Sequence, residues 1–193
     1  MFLWPSLSVA LWLSRVMQEK SRPVLSNVKA RFRVSTVLTI KNHQRNFEVH
    51  ILNHYKFIVF HGSAIVNVTG IRQFEDIDHA VKTFCQHFHC IAVPQSVVVD
   101  NSTATGHLPS LNHHALIRLA KKTCSKKKHY TISCRTHYFP CVLIRLQETP
   151  QHSSLTLSLF ASGKFNILAA KTEQDLVAAQ AFIEDLLKQH GKL

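Results

Sequence analysis

Apolar and polar residues alternate strictly along the segment that begins at Val24. The apolar side of this extended segment carries Val28, Ala30, Phe32 and Val34. The polar side carries Asn27, Lys29, Arg31 and Arg33. A period of two is typical of a β-strand with one buried face. The apolar side should therefore pack on helices, whereas the other side carries an asparagine and three cations.

Similar patterns along the rest of the chain predict more strands and three helices. Strands are expected at 47–53, 56–60, 65–71, 97–106, 139–146, 155–160 and 165–171, the first two forming a tight hairpin around His54 and Tyr55. Apolar residues at helical spacing predict helices at 76–88, 109–120 and 173–188. Strands followed by a helix, twice over, indicate an α+β fold with helices on one face of an antiparallel sheet. The other face of the sheet should be open.

The chain also contains an internal repeat at a distance of about a hundred residues. Phe60 and the strand 65–71 have counterparts in Phe160 and the segment 165–171, and each copy leads into an acidic helix start. A repeat of this length indicates one domain built from two halves with a shared core. The expected division is an apolar extension at 1–22, a first repeat at 23–92 and a second repeat at 93–193.

The charge of the chain is strongly positive. Lysine and arginine number 23 against 11 acidic residues, for a net charge of +12. Such a surface suits a polyanion or an acidic protein partner, and plain solubility is the alternative interpretation. No carboxylate pair, glycine-rich phosphate loop or nucleophile–base group stands out in the sequence. The sequence therefore does not predict an enzyme.

The cysteines indicate a reducing compartment rather than a disulfide framework, because there are five of them without regular spacing. Cys85, His87, His89 and Cys90 are close in sequence but lack the spacing of a zinc site. A buried structural thiol at Cys85 is the favoured interpretation. Neither a metal nor a cofactor is expected.

Residues 2–13 are almost wholly apolar but too few to span a bilayer. A secretory signal is the less favoured interpretation, because no positive charge precedes the apolar run. An extension that packs on the domain or stays loose is expected, with no membrane partner.

Phenylalanines on the open face of the predicted sheet need an explanation. Phe60 and Phe160 fall on this face by strand parity, and Phe47 and Phe139 head the neighbouring strands. Two such pairs on an open, basic sheet indicate side chains that enter between base pairs from the minor groove. Burial of these rings under loops or under the N-terminal segment is the alternative.

Several segments resemble the TATA-box-binding protein family. Residues 139–145, Phe-Pro-Cys-Val-Leu-Ile-Arg, resemble that family's Phe-Pro-Gly-Leu-Ile-Tyr-Arg strand, and residues 159–164, Leu-Phe-Ala-Ser-Gly-Lys, resemble its Ile-Phe-x-Ser-Gly-Lys turn. Residues 68–72 and 169–171 are similar to its Thr-Gly-Ala-Lys strand ends. The resemblance covers about residues 23–190. It implies a saddle of two pseudo-symmetric halves, with a concave sheet on DNA and convex helices that face partner proteins.

The same resemblance implies a nuclear transcription initiation factor that binds and bends promoter DNA through the minor groove. It leaves open whether the chain is cellular or virus-encoded. A virus-encoded chain would act in the host nucleus or at the site of viral transcription. The implied partners are double-stranded promoter DNA, initiation factors of the IIA or IIB type and the RNA polymerase machinery. The expected DNA-binding residues are Asn27, Lys29, Arg31, Arg33, Phe47, Phe60, Asn67, Thr69, Asn101, Thr103, Phe139, Arg145, Phe160, Lys164, Asn166 and Lys171.

Two other functions stay open at this point. One is a nucleic-acid-binding module on the same fold that no longer reads promoters and holds, for example, an RNA–DNA hybrid. The other is a decoy that binds transcription proteins without DNA. The basic run at 121–128 fits a nuclear-import signal, a lobe that binds the DNA backbone or a solvated loop equally well.

The chain departs from the family pattern at positions that should face the DNA. Lys29 and Thr103 stand where the family has groove-facing valines, and Asn67 and Asn166 replace two more, with a one-residue gap needed to place Asn67. Asn67 and Asn166 should loosen the requirement for A·T pairs, because an amide both donates and accepts hydrogen bonds. Hydrogen bonds to neighbouring backbone or to Thr69 are the alternative.

The segment between Asn27 and Phe47 is also too short for the first helix of the family, and Leu168 replaces an expected threonine.

Overall fold

The computed structural model describes residues 23–38, 47–108, 129–134 and 141–191. The strands are β1 (Val24–Arg33), β2 (Phe47–Leu52), β3 (Tyr55–Phe60), β4 (Ile65–Ile71), β5 (Val98–His107), β6 (Tyr130–Cys134), β7 (Cys141–Leu146), β8 (Leu155–Phe160) and β9 (Lys164–Ala170). The helices are α1 (Asp76–Phe88) and α2 (Glu173–Gly191). The expected helix at 109–120, the basic run at 121–128, Phe139 and the extension at 1–22 lie outside the described residues.

The nine strands form one antiparallel sheet in the order β2-β3-β4-β1-β5-β9-β8-β7-β6. The two helices pack on one face of the sheet, over two adjoining clusters of buried apolar residues. Leu25 and Phe74 contact both clusters and so join the two halves into one core. The predicted α+β fold, a curved antiparallel sheet with helices on its convex face, is confirmed.

Most elements lie close to their predicted bounds, because alternation and helical spacing are local properties of the chain. The bounds of β4 and α1 are those predicted, β5 is displaced by one residue, and α2 continues past Lys188 to Gly191. Strand β6 was not predicted, since Ile132 is its one aliphatic residue. No helix among the described residues is both long and apolar enough to cross a membrane.

The two halves of the sheet have the same strand register. The equivalent residue pairs are Val28–Ile71 and Ala30–Val68 in the first half, and Ser102–Ala170 and Ala104–Ile167 in the second. In this register Asn27 corresponds to Asn101 and Asn67 to Asn166. The one-residue alignment gap that the sequence comparison needed to place Asn67 is therefore not required. Each half has one β-bulge in this ladder.

One pair of core positions exchanges its large and small residues between the halves. Phe32 lies opposite Val66 in the first half, whereas Gly106 lies opposite Phe165 in the second. A Cβ atom added to Gly106 would lie 2.2 Å from Cζ of the Phe165 ring. The aromatic ring thus comes from β1 in one half and from β9 in the other. Close packing of the core is kept because the strand opposite provides the smaller residue.

The bulge residues have a left-handed backbone conformation. Gly70 has φ +88°, and its counterpart Ala169 has φ +69°. A Cβ atom on Gly70 would lie 2.6 Å from the carbonyl oxygen of His54, in the tight turn between β2 and β3. The β7–β8 connection spans residues 147–154 and is longer than this turn. An alanine is present at position 169, whereas a side chain at position 70 would meet the His54 carbonyl oxygen.

Asp175 holds the start of α2 against the β7–β8 connection. Its buried carboxylate accepts hydrogen bonds from the backbone N–H groups of Ser153 (2.8 Å), Lys171 (2.7 Å) and Thr172 (3.1 Å). Burial alone would raise the pKa of this carboxyl, but the hydrogen bonds outweigh burial and its pKa lies below the ordinary value. A carboxyl with a lowered pKa in the folded state stabilises the fold at neutral pH, and this stabilisation is lost as the pH falls through that pKa.

We expect Asp175→Asn to lower the free energy of unfolding at pH 7 by about 1–2 kcal/mol, because a charged acceptor is lost at nearly constant volume. The difference from the wild type should be full above about pH 5 and shrink below the ordinary Asp pKa of about 3.9. Urea unfolding at several pH values measures this difference. Glu173→Gln, an exposed acid in the same helical turn, is the control, and equal effects of both variants would contradict the role of Asp175.

Candidate nucleic-acid interface

The sheet face opposite the helices carries the polar side of β1. Val28, Ala30, Phe32 and Val34 are buried, and Lys29, Arg31 and Arg33 are exposed. The face assignment predicted from alternation is therefore confirmed. We call the sheet face that carries Lys29, Arg31 and Arg33 the open face.

Asn27 and Asn101, on the two central strands, hydrogen-bond to the bulges. The Asn27 side-chain oxygen Oδ1 accepts hydrogen bonds from the backbone N–H of Gly70 (2.8 Å) and from the Thr69 hydroxyl (2.9 Å). Oδ1 of Asn101 accepts from the backbone N–H of Ala169 (2.8 Å). A backbone N–H cannot donate to the NH₂ group of an amide, so these contacts fix which way each side-chain amide is turned. Asn27 Oδ1 accepts two hydrogen bonds, so Asn27 offers a ligand its NH₂ donors, whereas Asn101 offers its NH₂ group and one remaining lone pair of Oδ1.

This bulge contact was not predicted from the sequence. A glycine at position 70 is compatible with a left-handed backbone conformation, but an alanine at the equivalent position 169 does not suggest one. The contact also occupies Thr69, which was expected to bind DNA. Its hydroxyl hydrogen is donated to Asn27. In the second half Leu168 stands at the position of Thr69, so that hydrogen bond occurs in the first half alone among the described residues.

Asn67 and Asn166 lie one strand further out on each side. Asn67 in β4 is opposite Arg31 and Ile58, and Asn166 in β9 is opposite Thr105 and Ser158. Both asparagines are half-buried. Neither side chain makes a hydrogen bond to any residue within the described parts of the chain. The hydrogen bond to Thr69 that was the alternative for Asn67 is made by Asn27 instead.

Phe47 and Phe60 form an aromatic pair at the edge of the first half. They lie directly opposite each other in β2 and β3, with ring centroids 6.2 Å apart. Their exposed fractions are 43% and 41%, so two rings stand together in solvent on the open face. Such exposure of paired aromatic rings is unusual for a soluble surface without a ligand.

Phe160 is the counterpart of Phe60 in the second half. Phe160 in β8 is half-buried and lies opposite Cys141 in β7. The register therefore makes Cys141 the counterpart of Phe47, and Phe139 precedes that position by two residues. Phe139 lies outside the described residues, so its pairing with Phe160 as a second wedge stays a prediction.

The cations of the open face are concentrated on β1. Lys29 and Arg33 have no ion-pair partner in the described ranges, whereas Nε of Arg31 lies 3.4 Å from Oδ1 of Asp100. In the common register the three cations of β1 correspond to Thr103, Thr105 and His107 in β5. The first half is therefore the more basic one along the central strands.

Three further predicted cations lie in the second half and are exposed. Arg145 is opposite Thr156 on β7, and Lys164 begins β9 opposite His107. Lys171 follows β9, where its backbone N–H is donated to Asp175. These three residues are dispersed over the second half, in contrast to the continuous row on β1.

Clearly perturbed pKa values belong to groups on the helix side of the sheet. Burial raises the pKa of the Tyr55 hydroxyl, and Asp76 raises it further. Burial and the neighbouring Cys85 raise the pKa of the Cys90 thiol to about 11. Cys85 is half-buried on α1 and packs against the core, whereas a buried structural thiol was expected at this position. Among the described residues, no three side chains of His, Cys, Asp or Glu lie close enough to hold a metal ion.

Comparisons with known proteins agree with this geometry. Residues 96–190 match the sequence model of a family described as transcription factor TFIID (or TATA-binding protein, TBP). Among solved structures, the fold is similar to Methanococcus jannaschii TBP with a TM-score of 0.65 and 18% sequence identity. This similarity covers 87% of this chain and 99% of that one. A comparison with curated proteins gave no significant match.

Proposed function

We propose that this chain, a divergent member of the TATA-binding protein family, binds double-stranded DNA with its open face and bends it. The family consists of DNA-binding transcription factors that are not enzymes. The observation that supports the proposal best is the open face itself, where a row of exposed cations and a pair of exposed aromatic rings occur on the side of the sheet opposite the helices.

The aromatic pair suits a wedge. A flat ring that enters between two base pairs unstacks them at a cost on the order of a few kcal/mol, which is offset by the wider contact that a bend allows. Phe47 and Phe60 are already side by side and in solvent, so little rearrangement of the protein precedes insertion. Phe139 and Phe160 would act at the other end.

Asn27, Asn101 and the cations of β1 suit the floor of the minor groove and the phosphates of a duplex. The NH₂ groups of Asn27 and Asn101 match the adenine N3 and thymine O2 acceptors on the floor of the minor groove. Lys29 and Arg33 would bind phosphates without regard to sequence. Thr103, Arg145, Lys164 and Lys171 would extend this contact into the second half.

The finer parts of the proposal concern the cellular role. We place the chain in the nucleus or at a site of viral transcription, bound to promoter DNA. Its helical face would bind other initiation factors, of the IIA or IIB type, and the RNA polymerase machinery. Affinity capture with purified factors of each type, with and without promoter duplex, tests these partners.

We expect DNA bending to depend on the aromatic pair. On binding, a duplex labelled at both ends should show increased energy transfer, and Phe47→Ala with Phe60→Ala should remove about half of that increase because one of two wedge ends is lost. Val177→Ala is the matched control, since Val177 is exposed on α2 away from the open face. An unchanged energy transfer in the double variant would contradict the wedge role.

The same measurement separates the alternative functions. A protein that captures initiation factors but binds no duplex would be a decoy. A protein that binds duplexes without bending them, or prefers an RNA–DNA hybrid, would be a module without promoter recognition.

A further inference from the structure

Four asparagines occupy the four central strands of the sheet, one on each. In the order across the sheet they are Asn67 on β4, Asn27 on β1, Asn101 on β5 and Asn166 on β9. The register relates Asn27 to Asn101 and Asn67 to Asn166. The row is therefore symmetric, with an inner pair and an outer pair.

The two pairs differ in the hydrogen-bonding groups that they can offer. The inner oxygens are occupied by backbone N–H groups of the bulges, at 2.8 Å in both halves. Asn27 Oδ1 also accepts from the Thr69 hydroxyl and so has both lone pairs in use, whereas Asn101 Oδ1 accepts one hydrogen bond and has one lone pair left. The outer amides accept and donate no hydrogen bond within the described residues, so each keeps an oxygen acceptor as well as its donors. Their half-buried position means that an unsatisfied amide would lose hydrogen bonds when a ligand covers it.

In the minor groove, one hydrogen-bonding group distinguishes G·C from A·T base pairs. A·T and T·A pairs present acceptors alone, whereas G·C adds the guanine 2-amino group, a donor. A donor-only amide has no acceptor for that amino group. An amide with an available oxygen can accept a hydrogen bond from it.

We infer that Asn67 and Asn166 are specificity residues that accept the guanine 2-amino group at two symmetric positions, on either side of a centre read by Asn27 and Asn101. The preferred duplex is then A·T at its centre and contains G·C at one outer position on each side. This inference rests on the proposed binding of duplex DNA by the open face. The neighbours of the outer pair differ, since Thr105 and Ser158 lie beside Asn166, and Arg31 and Ile58 lie beside Asn67.

The first experiment selects duplexes from a random pool with the wild-type protein and then replaces individual bases by analogues. Replacing guanine by hypoxanthine at an outer position removes the 2-amino group and should weaken binding about fivefold to tenfold, the value of one hydrogen bond. Replacing adenine by 2,6-diaminopurine at the same position adds that group and should strengthen binding. At the central positions the added amino group should weaken binding instead.

The second experiment uses Asn67→Val with Asn166→Val. Valine suits a strand and removes the acceptor, so the variant should bind guanine and hypoxanthine duplexes equally. Circular dichroism and thermal unfolding check that it folds, and the base-analogue arm with wild-type protein does not depend on any variant. Equal binding of guanine and hypoxanthine duplexes by the wild type would overturn this inference. Absence of duplex binding altogether would instead overturn the proposed function.

Discussion

We expect Gly70→Ala to lower the free energy of unfolding by roughly 2–5 kcal/mol. Position 70 has φ +88°, a left-handed conformation that costs an L-residue with a side chain roughly 1–2 kcal/mol. The added Cβ would also lie 2.6 Å from the carbonyl oxygen of His54, which is backbone and cannot rotate away. Overpacking of this kind adds roughly 1–3 kcal/mol. Chemical unfolding followed by circular dichroism measures the sum.

The second half of the chain contains the matched control. Ala169 has the equivalent position with φ +69° and already carries a side chain there. Ala169→Gly should change stability by less than about 1 kcal/mol, because relief of backbone strain offsets the greater freedom of the unfolded chain. A Gly70→Ala variant as stable as the wild type would show that the tight β2–β3 turn yields to the added methyl group.

Gly70→Ala should also weaken DNA binding in the fraction that remains folded. The backbone N–H of Gly70 is one of the donors that orient the Asn27 amide. A displaced bulge would turn this amide away from the centre of the open face.

Lys29→Gln with Arg33→Gln should weaken binding to duplex DNA roughly 50-fold at 0.1 M salt. Each phosphate contact contributes about 0.9 to the slope of log K against log[salt], so two lost contacts lower the slope by about 1.8. The loss should be the same for every duplex sequence, because phosphates carry no sequence information. Fluorescence anisotropy at several salt concentrations measures both quantities.

Two single variants sharpen the test of the β1 cations. Arg31→Gln should have a smaller effect than Lys29→Gln, since Asp100 already partly neutralises Arg31 at 3.4 Å. Lys82→Gln, an exposed cation on α1, should leave the salt slope unchanged. If Lys82→Gln lowers the slope as much as Lys29→Gln does, DNA lies on the helical face and not on the open face.

The sequence by itself determined the faces of the sheet and most of its elements. Alternation from Asn27 to Val34 assigned the cations of β1 to one side, and this holds in the structure because neighbouring residues of a strand point to opposite faces. Helical spacing likewise predicted α1 with its bounds. These features depend on a few consecutive residues, so no knowledge of strand pairing is needed to predict them.

Only the tertiary structure decided how the candidate site residues are paired and oriented. Asn27 is 43 residues from Gly70 in sequence, and Asn101 is 68 residues from Ala169, yet these contacts determine that the inner amides present donors. The same is true of the register that places Phe47 opposite Phe60 but Phe160 opposite Cys141. Register and bulges arise from hydrogen bonds between distant strands, and alternation along one strand is equally compatible with several registers that differ by two residues. The pattern of residues therefore determines which face a side chain is on, and strand pairing determines which groups of that side chain are available to a ligand.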